Sequence, residues 1–403
     1  MNLSTEDWLS QLEQELKNNI LGFWMKHTID EQHGGFVGEI DNQLNTAPGA
    51  EKSLVLNARI LWTFASAYRF YGHAEYLTIA ERAYAYLLEH FTDEVNGGWF
   101  WMVDINGKPT QPKKQIYGQA FVIYALAEFY HATGRQEALD EAVKLFHLVE
   151  KYGYDPLYKG YVEALSRDWQ MTDELSLSDK DMNEKKSMNT HLHVLEAYTG
   201  LCRVWKSEEL RAKLAELIET MLSHIIDDEG RHFHLFFDEQ WNVKSDHVSY
   251  GHDIEGSWLL VEAAETLGDE ALLHRVQQTA ISMAEAVLAE GIDRDGGIWN
   301  EAGPDGLLNK DKDWWPQAEA VVGFYNAYQL TGDARFQSAA QASWAFIAQY
   351  LVDPKFGEWY WAVDEQLRPL ADAPKVSAWK CPYHNSRACF EMIERLSFIT
   401  KGN

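Results

Sequence analysis

The strongest constraint on this chain is a pattern that returns six times. An Asp, often beside other acidic residues, is followed within a few positions by Gly and then by aromatic residues. The copies are Asp30 to Gly34-Gly35-Phe36, Asp93 to Gly97-Gly98-Trp99-Phe100-Trp101, Asp155 to Gly160-Tyr161, Asp228-Glu229-Gly230 to His232-Phe233-His234, Asp293 to Gly296-Gly297-Ile298-Trp299, and Asp353 to Gly357-Glu358-Trp359-Tyr360-Trp361. They lie roughly 60 to 70 residues apart, a period that signals a repeated supersecondary unit. Gly-Gly followed by alternating aromatics reads as a short turn or hairpin.

Between the turns the sequence is helical. Leu54, Ala58, Leu61, Trp62 and Ala65 keep a 3.6-residue spacing, as do Tyr76, Ala80, Ala83, Tyr84 and Leu87. Each unit holds two such stretches joined by a short loop such as Tyr71-Gly72-His73 or Thr331-Gly332-Asp333. An open solenoid would need polar capping repeats, and both ends here read as ordinary amphipathic helices. The expected fold is therefore all-α: one domain over residues 1–403, a closed (α/α)6 barrel whose six turns rim a central pit at one end.

Charge narrows the partners. The 62 acidic residues outnumber the 35 basic ones, a net charge of −27, and such a surface repels phosphate backbones and anionic lipid. Nucleic-acid and membrane binding are not expected. Cys202, Cys381 and Cys389 have no disulfide or metal spacing, and the N-terminus lacks the pattern of a signal peptide. With no apolar run near the ~20 residues of a membrane span, the chain reads as cytoplasmic. Its 16 Trp, 19 Tyr and 18 Phe exceed what a core commonly needs, and flat rings with a polar edge suit the faces of sugars.

Several stretches carry candidate chemistry. In Tyr250-Gly251-His252-Asp253-Ile254-Glu255, a helix would put His252 and Glu255 on one face, where a carboxylate can orient an imidazole. In Trp379-Lys380-Cys381-Pro382-Tyr383-His384, Pro382 suits a first helical turn, and the dipole there disfavours a charged His384. His191 and His193, two apart on a helix, cannot both face one pit, so only one is functional and a metal site on the pair is not expected. Arg59 lies inside an apolar run, paired with a carboxylate or aimed into a polar cavity. Trp314-Trp315 and Tyr117 are core residues or sugar contacts.

Taken in order and spacing, these motifs resemble the cellobiose 2-epimerases of the N-acylglucosamine 2-epimerase superfamily. The likeness runs nearly end to end, through Arg59-Ile60-Leu61-Trp62, Lys186-Ser187-Met188-Asn189 with His193, Ser249 to Glu255, Trp314-Trp315 to Glu319, and Trp379 to Asn385. The resemblance implies an (α/α)6 barrel that inverts carbon 2 of the reducing-end sugar of β-1,4-linked disaccharides, without metal or nucleotide. It implies His252 and His384 as the acid/base pair, His193 as a third histidine near the reacting carbons, and Arg59 beside the enediolate oxygen. It further implies Trp315 and Trp379 as sugar-contacting indoles, and Tyr117, Asp181, Asn189 and Glu255 as polar neighbours. A locally cationic pit inside an acidic exterior is expected, in a monomer or weak homo-oligomer with a small carbohydrate substrate.

Three rival readings remain. An inverting glycoside hydrolase on the same barrel would need two separated carboxylates, for which Asp181, Glu255 and Glu319 are candidates. A sibling enzyme could isomerise an aldose to a ketose or epimerise a monosaccharide. A carbohydrate-binding protein would explain the tryptophans but not the histidines.

Overall fold

The computed structural model describes residues 3–178 and 181–401. In order these form α1 (Thr5–Gln14), α2 (Gly22–His27), α3 (Leu54–Tyr71), α4 (Ala74–His90), α5 (Ile116–Thr133), α6 (Gln136–Leu148), α7 (Met188–Val204), α8 (Glu208–Thr220), α9 (Tyr250–Leu267), α10 (Glu270–Ala286), α11 (Trp314–Thr331), α12 (Ala334–Phe346) and α13 (Tyr383–Lys401). The odd-numbered helices from α3 onward pack each against the next, and α13 returns to α3, which closes the ring. The others stand outside it, α4 on α3 and so on, with the N-terminal α1 against the C-terminal α13. The fold is the expected (α/α)6 barrel.

Sequence patterning explains which helix goes where. α3 buries every residue from Leu54 to Ala67, because neighbours surround an inner helix on all sides. α6 buries Ala138, Leu139, Ala142, Leu145 and Phe146, one stripe at helical spacing, because its other face meets water. Four inner helices end on a left-handed glycine, Gly72, Gly134, Gly268 and Gly332, which stops the helix and releases the chain to the outer layer.

The outer layer returns to the rim by a second device. α6, α8, α10 and α12 run into one widened π-helical turn, at Val149–Gly153, Met221–Ile225, Val287–Gly291 and Ile347–Leu351. The next residue is extended and bridges to the residue after the glycine turn, as Tyr154 does to Tyr161 and Val352 to Trp359. In the fourth copy the turn is built on Asp227, not Asp228: Asp227 N–H meets His232 O, and Gly230 N–H returns to Asp227 O.

A buried ion pair locks each turn to the following inner helix in five of the six repeats. Lys52 meets Asp30 at 2.9 Å, Lys114 meets Asp93 at 3.0 Å, Lys186 meets Asp155 at 2.9 Å, Lys312 meets Asp293 at 2.7 Å, and Lys375 meets Asp353 at 2.7 Å. The fourth repeat has Val248 where the others have Lys, and there buried Asp253 takes His232 Nδ1 at 2.8 Å instead. These clamps hold the N-terminal ends of the inner helices at the rim, where the candidate site lies.

Candidate active site

Helical geometry sorts the first two turns of each inner helix. The fourth and sixth residues point roughly 200° apart, so one faces the wall and the other the pit. Fourth residues pair with the hairpins: Gln119 accepts Trp99 N–H at 2.9 Å, His191 accepts Tyr161 N–H at 2.8 Å, Asp253 accepts Phe233 N–H at 2.8 Å, and Gln317 accepts Ile298 N–H at 2.7 Å. The sixth residues of α3, α5, α7, α9 and α11 are Arg59, Phe121, His193, Glu255 and Glu319. Five helices thus deliver one ring of side chains, and α13 completes it with His384 and Arg387.

Each pit histidine is gripped through Nδ1 by a different partner. Glu196 Oε2 lies 2.9 Å from His193, Glu319 Oε1 lies 2.7 Å from His384, and Ser249 Oγ lies 2.8 Å from His252. The expected carboxylate for His252 is therefore elsewhere. Glu255 reaches across from α9 to α13, with its Oε1 2.6 Å from Arg387 Nη2 and 3.8 Å from His384 Nδ1. The His-to-Glu spacing of three residues does orient an imidazole here, at His193 and Glu196.

Arg387 is the hub that sequence reasoning missed. Its Nη2 donates to Glu255 at 2.6 Å and to Glu319 at 2.7 Å, and its Nη1 reaches Glu196 and the Tyr383 hydroxyl. Its spacing of three from His384 was the available signal. Arg59 donates to the Tyr117 hydroxyl at 2.8 Å, and its guanidinium lies over the Phe121 ring at 4.2 Å. Among the described residues, Arg59 Nε and Asn189 Oδ1 are buried without a hydrogen-bond partner. Two guanidiniums facing three carboxylates do not make the cationic pit that was expected; the charges nearly balance.

Burial sets the protonation states. It pushes His252 down to about 3, with His193 adding to the effect, and holds His384 well below the usual imidazole range, with Arg59 and Arg387 contributing. Both rings are neutral at pH 7 and able to accept a proton. Burial pushes Glu255 up to about 7, reinforced by the charge of Glu319 and opposed by Arg387. Burial also works against ionised Glu196, but Arg387 and the His193 bond outweigh it and hold the carboxyl at about 2.

Aromatic residues form the walls. The Trp315 ring centroid lies 4.6 Å from His252 and 5.6 Å from His384, while Trp314 turns into the core against Trp361 at 4.9 Å. Trp379 stands higher, 5.9 Å from Tyr117 and 6.0 Å from Trp101, beside a cleft of about 540 Å³ that Lys113, Ser178 and Asn183 also line. Asp181 lies in the rim loop between two of these lining residues and accepts from Ser178 Oγ at 2.5 Å. It does not join the histidine cluster.

Glu255, Glu319 and His384 bring ligand atoms within 4.8 Å of one another, a grouping that could hold a cation. Arg387 already bridges both carboxylates, so their charge is met by a guanidinium. A second polar pit of about 560 Å³ opens at the other end of the ring, but there Arg69 pairs with Glu128 and Arg203 with Glu262, each at 2.7 Å.

Neutral imidazoles, a buried guanidinium and indole platforms sunk in an (α/α)6 rim define a carbohydrate-active enzyme that works by proton transfer. The family model of N-acylglucosamine 2-epimerase (GlcNAc 2-epimerase) matches residues 34–388. The chain is 44% identical over 384 residues to a cellobiose 2-epimerase of Bacteroides fragilis, covering 95% of this chain and 98% of that one. It is 38% identical over 388 residues to one from Dictyoglomus turgidum, covering 96% and 98%. The solved cellobiose 2-epimerase of Bacillus thermoamylovorans superposes with a TM-score of 0.93 at 38% identity, covering 97% of this chain and 100% of that one. The chain belongs to the N-acylglucosamine 2-epimerase family, and it is an isomerase.

Proposed function

We propose that the enzyme inverts carbon 2 of the reducing-end sugar of β-1,4-linked disaccharides, converting cellobiose to glucosyl-mannose, with residues 1–403 acting as one catalytic domain. The observation that carries this reading is the pair His252 and His384, both neutral and both against the Trp315 indole. Once the ring opens, the aldehyde makes the hydrogen on carbon 2 acidic. One histidine takes that proton, and the C–H electron pair moves into an enediolate. The other histidine returns a proton to the opposite face. Arg59, fixed by Tyr117, meets the developing oxyanion, a role whose loss costs about 3 kcal/mol. Asn189 Oδ1 supplies an acceptor for a sugar hydroxyl, and His193 a third proton-transfer group.

The cleft beside Trp379 gives room for a second sugar ring, which favours a disaccharide over a monosaccharide. Inverting hydrolysis fits poorly. Its two carboxylates stand about 6.5–9.5 Å apart, whereas Glu255 and Glu319 bring oxygens within 4.8 Å of each other and share Arg387. Three free thiols suit a reducing compartment, and we place the enzyme in the cytoplasm.

Proton NMR of the protein with cellobiose in D₂O tests the reading. A glucosyl-mannose product carrying deuterium at carbon 2 is expected. Free glucose would mean hydrolysis, a ketose would mean isomerisation, and turnover of mannose alone would mean a monosaccharide enzyme.

A further inference from the structure

Three inner helices are preceded by Ser, and two of these serines do the same work. Ser53 Oγ accepts the Leu56 N–H at 3.0 Å, and Ser187 Oγ accepts the Thr190 N–H at 3.1 Å. Each caps the N-terminus of its helix, a contact worth about 1 kcal/mol. Ser249 occupies the same place before α9 and makes no cap bond. The third residue of α9 is His252, and its Nδ1 takes the Ser249 hydroxyl at 2.8 Å. Ser249 is fully buried, so the hydroxyl is not shared with solvent. Gln115 before α5 and Asp313 before α11 make no side-chain cap bond either, but of the three serines only Ser249 gives up the cap, and the group that benefits is a histidine of the pit.

The partner's chemistry matters as much as its position. His193 and His384 are held by carboxylates, which only accept hydrogen bonds and so keep the proton on Nδ1. A hydroxyl both donates and accepts, so His252 alone can hold its proton on either nitrogen. The titratable groups facing it from other helices are His193 on α7 and His384 on α13, and α11 presents the uncharged Trp315.

We infer that Ser249 is a positioning residue for His252: its hydroxyl, withdrawn from capping α9, fixes the ring by Nδ1 and lets Nε2 present either a lone pair or an N–H. This rests on the epimerase reading above. With the lone pair forward, Nε2 takes the proton from carbon 2, the C–H electrons stay in the enediolate, and the imidazolium keeps its Nδ1–H on Ser249. In the reverse direction the protonated Nε2 gives its proton to carbon 2 of the enediolate, and the C–H bond forms from the electron pair held there. With the N–H forward, Nδ1 accepts the Ser249 O–H, and the neutral ring donates a hydrogen bond to a substrate oxygen without transferring a proton. Neutral imidazole serves other enzymes as such a donor.

The test compares Ser249→Ala, Ser249→Thr and Ser249→Asp with the wild-type enzyme on cellobiose. Ser249→Ala should lower kcat at least tenfold with KM changed by less than about twofold, because the hydroxyl acts through His252 and not on the sugar. Ser249→Thr should restore most of the rate. Ser249→Asp, which forces the proton onto Nδ1 and stabilises imidazolium, should shift the acidic limb of the kcat/KM profile upward in pH. Ser249→Ala should remain folded at the assay temperature, its thermal unfolding lowered only by the lost His252 bond, since no cap is lost. Wild-type kcat and pH profile in Ser249→Ala, or a rate loss matched by a loss of folded protein, would overturn the inference. The ¹⁵N shifts of the His252 ring, recorded without sugar, give an independent readout. They should move in Ser249→Ala, and unmoved shifts would also overturn it. If the wild type converts no disaccharide yet the shifts move, the reaction assignment fails while the Ser249 contact stands.

Discussion

His191 and His193 stand two residues apart on α7 and face opposite ways. His191 uses both ring nitrogens in the wall, Nε2 accepting from Tyr161 N–H at 2.8 Å and Nδ1 donating to Ser187 O at 2.6 Å. His193 turns inward, with its Nδ1 on Glu196 at 2.9 Å. The wall position is the one filled by Gln119 and Gln317 in other repeats, so His191 performs an amide's task.

His191→Gln should therefore keep the fold and kcat. It should also change how stability responds to acid. Burial pushes His191 down to about 3 from an ordinary 6.5, so below pH 6.5 the unfolded chain binds a proton that the folded chain refuses. The wild type loses this stability progressively as pH falls toward 3, by about 2 kcal/mol at pH 5. The variant lacks that loss. Urea denaturation at pH 7 and pH 5 measures the difference, and an equal acid loss in both proteins would refute the assignment.

That pair also shows what was legible beforehand. Helical periodicity alone separates residues two apart, and the glycine-aromatic turns count the repeats, so the ring was readable and so was the rule that only one of the two histidines faces inward; that it is His193 came from the family resemblance. The choice of partner was not. Glu255 and Glu196 each follow a histidine by three residues, but only Glu196 meets its histidine, because Arg387 arrives from α13 and draws Glu255 toward Glu319. Spacing within one helix cannot show a contact that depends on ring closure. The Ser249 contact was hidden for another reason: a serine before a helix reads as a cap.

Arg387 ties together Glu196, Glu255 and Glu319, so its removal should be costly twice over. Arg387→Met leaves buried carboxylates unpaired and should destabilise the protein by about 3–5 kcal/mol in urea denaturation. Arg387→Lys keeps the charge but not the planar fork. It should fold, yet turn over on the order of a hundredfold more slowly, because Glu319 then holds His384 less firmly. Wild-type kcat in Arg387→Lys would show that the fork does not set the histidine.

His252→Ala and His384→Ala should each lower kcat by on the order of a thousandfold. Both retain Arg387 and its carboxylates, so circular dichroism and thermal unfolding should show an intact fold. Substantial turnover in either variant would remove that histidine from proton transfer.

Glu255 gives a pH signature of opposite sign to His191. Its carboxyl rises from an ordinary 4.5 to about 7 through burial and the neighbouring Glu319. The folded chain holds this proton more tightly than the unfolded one. The associated stability is complete below pH 4.5 and is lost as pH rises to about 7. Glu255→Gln carries a neutral side chain at every pH, so its stability relative to wild type should climb by about 3 kcal/mol between pH 4.5 and 8. A flat difference across that range would mean that Arg387 keeps Glu255 ionised throughout.

The two half-buried indoles should divide the substrate between them. Trp315 touches His252 and His384, so it packs against the sugar whose carbon 2 reacts. Trp379 touches Tyr117 and Trp101 beside the cleft toward the rim, where a second ring would rest. Trp315→Phe removes part of a platform at the reacting carbons and should lower kcat for any sugar. Trp379→Ala should raise KM for cellobiose about tenfold, since a stacked ring contributes roughly 1–2 kcal/mol. Its effect on exchange of the carbon 2 proton of free glucose or mannose should be much smaller, because a monosaccharide leaves the upper cleft unused. Parallel KM measurements on both sugars decide the matter. Equal losses on cellobiose and mannose would place Trp379 against the reacting ring, and the cleft would then have no part in holding a disaccharide.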